Sequence, residues 1–309
     1  MLNNIGFLIG TTLMYSSPLI YTALGGVITE NSGVVNIGLE GMMTIGAFAG
    51  AAVGFYTNNP WLGFLAAGMA GGLLALLHAI ASVTFAADQV VSGIAINFLG
   101  PGLALFLSRI FFEGATQTKA IPLDFKIPRP LNGVFPQNSF LDMIFNQYAT
   151  VYMAFVFVVI IWFVLYKTKL GLRIRAIGEY PKAADTLGIN VFKLRYFAVI
   201  MSGVFAGFGG AAMSMAVVSS FRPALISGHG FIALAAMIFG KWRPQGAMWA
   251  CLLFGATQGL VVYLGSTAIE ISTHLLSLLP YVITLLILMG FVGKSSAPAA
   301  SGTAYEKNL

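Results

Sequence analysis

Apolar residues in this chain fall into nine runs separated by short polar interruptions: 5–28, 34–56, 62–85, 90–112, 151–166, 196–218, 229–240, 246–264 and 275–292. A helix rises about 1.5 Å per residue and the hydrocarbon core is about 30 Å thick, so roughly 20 apolar residues cross it. Most of the runs approach or exceed that length. They predict an all-α polytopic membrane protein with about 8–10 transmembrane helices. The run 229–240, HGFIALAAMIFG, covers only roughly 18 Å, about half the core. The earlier stretch 33–46 is interrupted by glycines in the corresponding place of the first half. Paired broken segments of this kind point to short or broken helices near the midplane and to a two-repeat organisation. Ser16-Ser17-Pro18 is expected to kink the first run, and Gly100-Pro101-Gly102 to break the fourth. Gly203 and Gly207, four apart in the run 196–218, would let two helices approach closely.

The polar interruptions orient the chain. Residues 167–195 hold Lys167, Lys169, Arg173, Arg175, Lys182, Lys193 and Arg195 against Glu179 and Asp185, a net charge of +5. By the positive-inside rule this loop stays in the cytoplasm. The proline-rich loop 113–148 is neutral and belongs outside. This parity puts the N-terminus outside and the C-terminus inside. The division is then a transmembrane domain over 1–293 and a cytoplasmic tail over 294–309, whose Ala, Ser and Pro content predicts no structure. Trp242, between Lys241 and Arg243, is expected at the inner interface. The N-terminus lacks the basic region of a secretory signal, so the first run reads as a retained span.

Within the charged loop, Pro181 suits a first helical position and Gly188 a helix stop. The helix between them is about two turns long, too short to be stable alone in water. Ala183, Ala184 and Leu187 give it a small apolar face. That face either rests on the protein's own membrane helices or docks into a cytoplasmic partner.

Composition narrows the chemistry. Of 309 residues, 58% are hydrophobic and 8% charged, against about 25% charged in a soluble domain. The formal charge of +6 is concentrated in one loop, which argues for membrane orientation rather than nucleic-acid binding. Cys251 is the single cysteine, so neither an intrachain disulfide nor a Cys/His zinc site can be built. His78, His229 and His274 form no HExxH, and no serine sits in GxSxG. The expectation is therefore no catalytic residue and no metal. Gly293-Lys294-Ser295 imitates the end of a phosphate-binding loop, but Leu288 stands where its first glycine is required. No cofactor is expected on this chain.

Polar groups inside apolar runs are the remaining candidates: Asn36, Glu40, Asp88, Gln89, Asn97, Arg109, His229 and Gln258. A charge at a helix centre costs about 2.5–3.5 kcal/mol on insertion scales, so such groups usually face a cavity, a partner helix or a solute path. Asp88, Gln89, Ser92 and Asn97 share parts of one helical face. Together with Asn36 and Glu40 they form the candidate solute path. Each has a plainer reading. Glu40 could cap backbone N–H groups at a break between Gly38 and Gly41, Asp88 could be a first-turn acid, Asn36 and Asn97 could be interhelical hydrogen-bond glue, and Arg109 could snorkel.

The segments SGVVNIGLEGMMTIGAF (32–48), DQVVSGIAINFL (88–99), RAIGEYPKAADTLGINV (175–191) and GFIALAAMIFGKWRPQGA (230–247) together resemble permease subunits of ABC importers. The broad group is the branched-chain amino acid and ribose type, and the likeness is strongest to its nucleoside-importing branch. It covers about 13–292. The resemblance implies a bacterial cell-membrane protein that is itself no enzyme. It implies three partners: a second homologous permease, a cytoplasmic ABC ATPase that uses ATP, and an extracellular solute-binding lipoprotein. It also implies that Gly178, Glu179, Pro181, Ala183, Ala184, Gly188 and Ile189 match the coupling-helix pattern that sits in a cleft of the ATPase. The expected solute is a nucleoside. A simple sugar of the ribose or galactose type is the alternative within the group, and a secondary transporter or a membrane-embedded enzyme the alternatives outside it.

Overall fold

A computed structural model describes residues 2–265, 282 and 296–306. The described residues form helices and no strand: α1 (Leu2–Glu30), α2 (Leu39–Thr57), α3 (Pro60–Ala79), α4 (Gln89–Phe111), α5 (Phe140–Phe145), α6 (Ala149–Lys167), α7 (Lys169–Glu179), α8 (Pro181–Thr186), α9 (Val191–Ala211), α10 (His229–Phe239) and α11 (Pro244–Gly265). Seven are long and apolar enough to cross a membrane, with the π-helical turns Ile80–Thr84 and Ala212–Val217 extending α3 and α9. The predicted run 275–292 lies outside the described residues.

The centre of the bundle is α9, packed against α1, α2 and α3. The contact is backbone to backbone. A Cβ on Gly203 would lie 2.3 Å from the Gly71 carbonyl oxygen, and one on Gly207 would lie 2.1 Å from that of Ala67. With no hydrophobic drive between helices in lipid, such small-residue approaches supply the association through dispersion contacts. Stacked and edge-on rings of Tyr21, Phe64, Phe157, Phe205 and Phe208 fill the space beside this seam.

Helix α1 continues through Pro18, where the Ser17 hydroxyl donates to the Met14 carbonyl at 3.1 Å, the acceptor that a residue without an N–H at 18 cannot serve. Two features depart from expectation. Helix α4 runs unbroken through Pro101; Gly100 serves instead to seat α4 on α2, where a Cβ would come within 2.2 Å of the Gly41 carbonyl oxygen. The tail is ordered over 296–306, where Ala300 and Tyr305 are buried. Its Ala300 N–H donates to the Gly178 carbonyl at 2.8 Å.

The neutral loop and the charged loop lie at opposite ends of the bundle. Gly6 and Gly10 of α1 lie against α5 of the neutral loop, and Asn4 donates to Tyr263 near the end of α11. At the opposite end, Asn31 packs on Gly178 of the charged loop and donates to the Trp242 carbonyl at 3.1 Å. Trp242 is itself buried, with its indole N–H on the Glu30 carboxylate at 2.5 Å, rather than lying at a lipid interface.

Candidate functional site

Two segments within the membrane bundle are not helical, and their backbone groups need partners because hydrocarbon offers none. The first is 34–38, between α1 and α2. Side chains from three other helices satisfy it. The Val35 N–H donates to Gln89 Oε1 at 2.7 Å, and the Val35 carbonyl accepts from His78 Nε2 at 3.1 Å. Since a carbonyl can only accept, Nε2 carries the proton, and in the neutral ring Nδ1 accepts from the Ser92 hydroxyl at 2.9 Å. Asn97 makes two bonds, accepting from the Gly41 N–H at 2.9 Å and donating to the Ile37 carbonyl at 3.0 Å. Asn36 accepts from the Gly38 N–H at 3.0 Å and donates to Ser202 of α9 at 2.6 Å.

The second segment, 219–228, enters from the side of the neutral loop. The Thr118 N–H donates to the Phe221 carbonyl and the Ile121 N–H to the Ser219 carbonyl. Phe221, Leu225 and Ile226 are buried along the way. Only then does α10 begin, and its 11 residues carry the chain to Trp242. At about 1.5 Å per residue they span about half of a ~30 Å core. The stretch from Ser219 to Trp242 thus runs between the two ends of the bundle as an irregular half followed by a helical half.

The two segments meet at Glu40. Its Oε1 accepts from the Gly228 N–H and its Oε2 from the Gly230 N–H, each at 2.6 Å. These donors belong to the first turn of α10, which has no side-chain cap of its own. A carboxylate at a helix N-terminus satisfies orphan N–H groups and sits at the positive end of the macrodipole. Gly230 is required by proximity, since a Cβ there would lie 2.5 Å from the Glu40 Cα. The capping anticipated for Glu40 thus occurs on the other half of the protein, not on its own helix.

Asn36, Gln89, Asn97 and, through His78, Ser92 thus converge on the backbone of 35–41, while Glu40 from the same stretch reaches α10. Asp88 stands apart, exposed, as the N-cap of α4, accepting from the Val90 and Val91 N–H groups at 2.8 and 2.9 Å. Arg109 is exposed near the end of α4. His229 and Gln258 line a cavity of about 360 Å³ between α1, α10 and α11, together with Tyr15, Phe254 and Thr257. The amide nitrogen of Gln89, buried at 3% exposure, has no hydrogen-bond partner. Among the described residues no group of His, Cys, Asp and Glu could hold a metal ion. Sequence reasoning did not assign His78, Ser202 or Trp242 to the candidate site. A histidine in a helix otherwise made of small and apolar residues was the available signal for the first.

On the charged side, α8 forms as expected and Gly188 follows it at φ +78°. Two residues of the coupling-helix pattern are packed against their own chain. Ala184 is turned inward, 3% exposed against Ile177, Val191 and Tyr305. Gly178 is buried against the 31–33 turn, where a Cβ would lie 2.1 Å from the Asn31 carbonyl oxygen. A helix of six residues cannot hold itself together in water, so its buried face is used by its own chain. The outward positions are Glu179, Tyr180 and Lys182, with Leu187 at 81% exposure, while Pro181, Ala183 and Ile189 are half-buried.

Comparison with known proteins agrees with this architecture. Residues 8–288 match the family described as branched-chain amino acid transport system, permease component. The chain is 46% identical to the guanosine ABC transporter permease protein NupQ of Bacillus subtilis, over 98% of this chain and 97% of that protein. It is 41% identical to the nucleoside ABC transporter permease protein NupC of Lactococcus lactis, over 99% and 98%. A more distant Bacillus subtilis relative, the guanosine ABC transporter permease protein NupP, is 26% identical over 82% of this chain and 73% of its own. No solved structure matches the chain. With seven helices of spanning length and a family match over nearly its whole length, the chain belongs to the branched-chain amino acid transport permease family and is a multi-pass membrane permease subunit of an ABC transporter.

Proposed function

We propose that this permease forms, with a second and related permease, the membrane path of an importer for nucleosides. In this reading an extracellular lipoprotein delivers the solute and a cytoplasmic ATPase docks on residues 178–189. The observation that carries the path is the pair of hydrogen bonds that the Glu40 carboxylate accepts from the first turn of α10, which joins two irregular segments inside the helix bundle. Transporter sites are commonly built where discontinuous helices meet near the bilayer midplane. Gln89 offers a donor without a partner beside the first segment, available to a polar solute when the path opens. The nucleoside assignment is drawn from the two relatives similar over nearly their whole length, and the pairing from the occurrence of two such permeases in one organism.

ATP-driven closure of the ATPase would displace the docked loop. The loop end at Gly178 lies on the turn 31–33, which leads straight into the first irregular segment. The same turn holds Trp242, at the end of α10. Both irregular segments are thus tied to the docking region and to each other, a physical train along which a two-state change can travel. The test is uptake of labelled guanosine into vesicles holding both permeases, the ATPase and the lipoprotein, with ribose and glucose in parallel. ATP-dependent accumulation of the nucleoside is expected. Accumulation of a sugar instead would overturn the solute assignment, and uptake without the ATPase would overturn the mechanism.

A further inference from the structure

We propose that the tail segment 296–306 is a strap that sets the position of the coupling helix, with Thr303 and Tyr305 as positioning residues for coupled transport. The segment touches every element that the ATPase would have to move. At the end of α7, the Ala300 N–H donates to the Gly178 carbonyl at 2.8 Å and the Ala299 N–H to the Glu179 carboxylate at 3.3 Å. On α8, Tyr305 shares a buried cluster with Ala184, and it lines one cleft together with Lys182, Asp185 and Thr186. On α9, the Tyr305 ring lies 5.5 Å from that of Phe192. At the 31–33 turn, Gly33 has φ +85°, and a Cβ there would come 3.2 Å from the Ala300 carbonyl oxygen.

Arg195 adds an independent reason to regard the strap as built in. Its side chain is buried at 1% exposure, and its Nη1 donates to the Thr303 carbonyl at 3.0 Å. Its Nε and Nη2 find no hydrogen-bond partner. A buried guanidinium with so few partners depends heavily on each one. The Tyr305 ring centroid lies 6.0 Å from the guanidinium carbon. Without the tail, the inner face of α8 would lose Tyr305, and α8 is too short to keep its position unaided. Movement of the ATPase would then be absorbed by α8 instead of reaching the turn 31–33.

This proposal rests on the docking of the ATPase at residues 178–189, so the test has one arm that does not need the ATPase. Three forms of the full permease complex are compared with wild type: a chain ending at residue 295, Tyr305→Ala and Tyr305→Phe. In the detergent-solubilised permease alone, amide exchange of residues 178–189 is expected to quicken about tenfold on truncation and in Tyr305→Ala, as local opening becomes easier. It should stay near wild type in Tyr305→Phe, which keeps the ring. In reconstituted vesicles, solute moved per ATP hydrolysed should fall in the same two variants and be restored by Tyr305→Phe. Should the truncated chain fail to accumulate, Tyr305→Ala carries both measurements. Unchanged exchange would overturn the strap, and faster exchange at an unchanged transport-to-hydrolysis ratio would overturn its role in coupling. Wild-type retention of the ATPase by Leu187→Asp, alongside faster exchange on truncation, would overturn the docking reading and leave the strap standing.

Discussion

The carboxylate of Glu40 accepts the Gly230 N–H at 2.6 Å across 190 residues of sequence, so the first turn of one broken crossing is capped by the other. Without that contact the first turn of α10 has no side-chain cap. Replacing Glu40 by Gln keeps one acceptor but turns an NH2 group toward an N–H donor. A hydrogen bond to a charged group is worth about 1.5–3 kcal/mol, so transport is expected to fall roughly 10–100-fold. Assembly with the partner permease and the ATPase should be retained, as judged by co-purification. Wild-type uptake by Glu40→Gln would remove Glu40 from the path.

Asn97 tests the bracing of 34–38. In Asn97→Leu the Ile37 carbonyl and the Gly41 N–H both lose their partner. Each buried unsatisfied group costs about 1–3 kcal/mol, so the melting temperature in detergent should drop clearly. Asn97→Asp, which keeps the acceptor for Gly41 and loses the donor to Ile37, should fall between. A Leu variant as stable as wild type would mean that water or lipid satisfies the segment.

The coupling loop offers a contrast between neighbours. Leu187→Asp places a charge on a side chain that is 81% exposed, so permease accumulation should be unaffected while the ATPase is released on purification. Ala184→Asp buries a charge among Ile177, Val191 and Tyr305, and is expected to reduce the amount of folded permease before any question of docking arises. Gly188→Val forces a β-branched residue to φ +78°, at a cost of about 1–2 kcal/mol. Equal behaviour of the Leu187 and Ala184 variants in both assays would contradict the orientation of α8.

The α3–α9 seam should tolerate no added atoms. A Cβ at Gly71 would lie 2.2 Å from the Gly203 carbonyl oxygen, and backbone cannot move aside as a side chain can. Gly71→Val is expected to destabilise the bundle by more than the about 1–3 kcal/mol of ordinary overpacking, read as loss of membrane-inserted protein. Gly102→Ala, with nothing within 4 Å of its Cβ, is the control and should accumulate normally.

What the chain's sequence determined by itself was local in kind: the number and length of apolar runs, the short helix at 229–239, the charged loop, α8 with its proline start and glycine stop, and the glycine spacing of α9. Each follows from a property read within one helix or one loop, whether hydropathy against bilayer thickness, charge against orientation, or the conformational range of a glycine. The partners of the irregular backbone were decided only by tertiary structure. Hydrocarbon forces every exposed N–H and C=O to find a donor or acceptor, but it does not say which; His78 for Val35, Asn97 for Ile37 and Glu40 for Gly228 come from elements that are distant in sequence and adjacent only once α9 has drawn α1, α2 and α3 together. The tail shows the same division. Its Ala, Ser and Pro composition argues for disorder, because burial of a few small side chains cannot offset chain entropy by itself. The buried faces of α7, α8 and α9 supply the missing contacts, and Tyr305 closes over them.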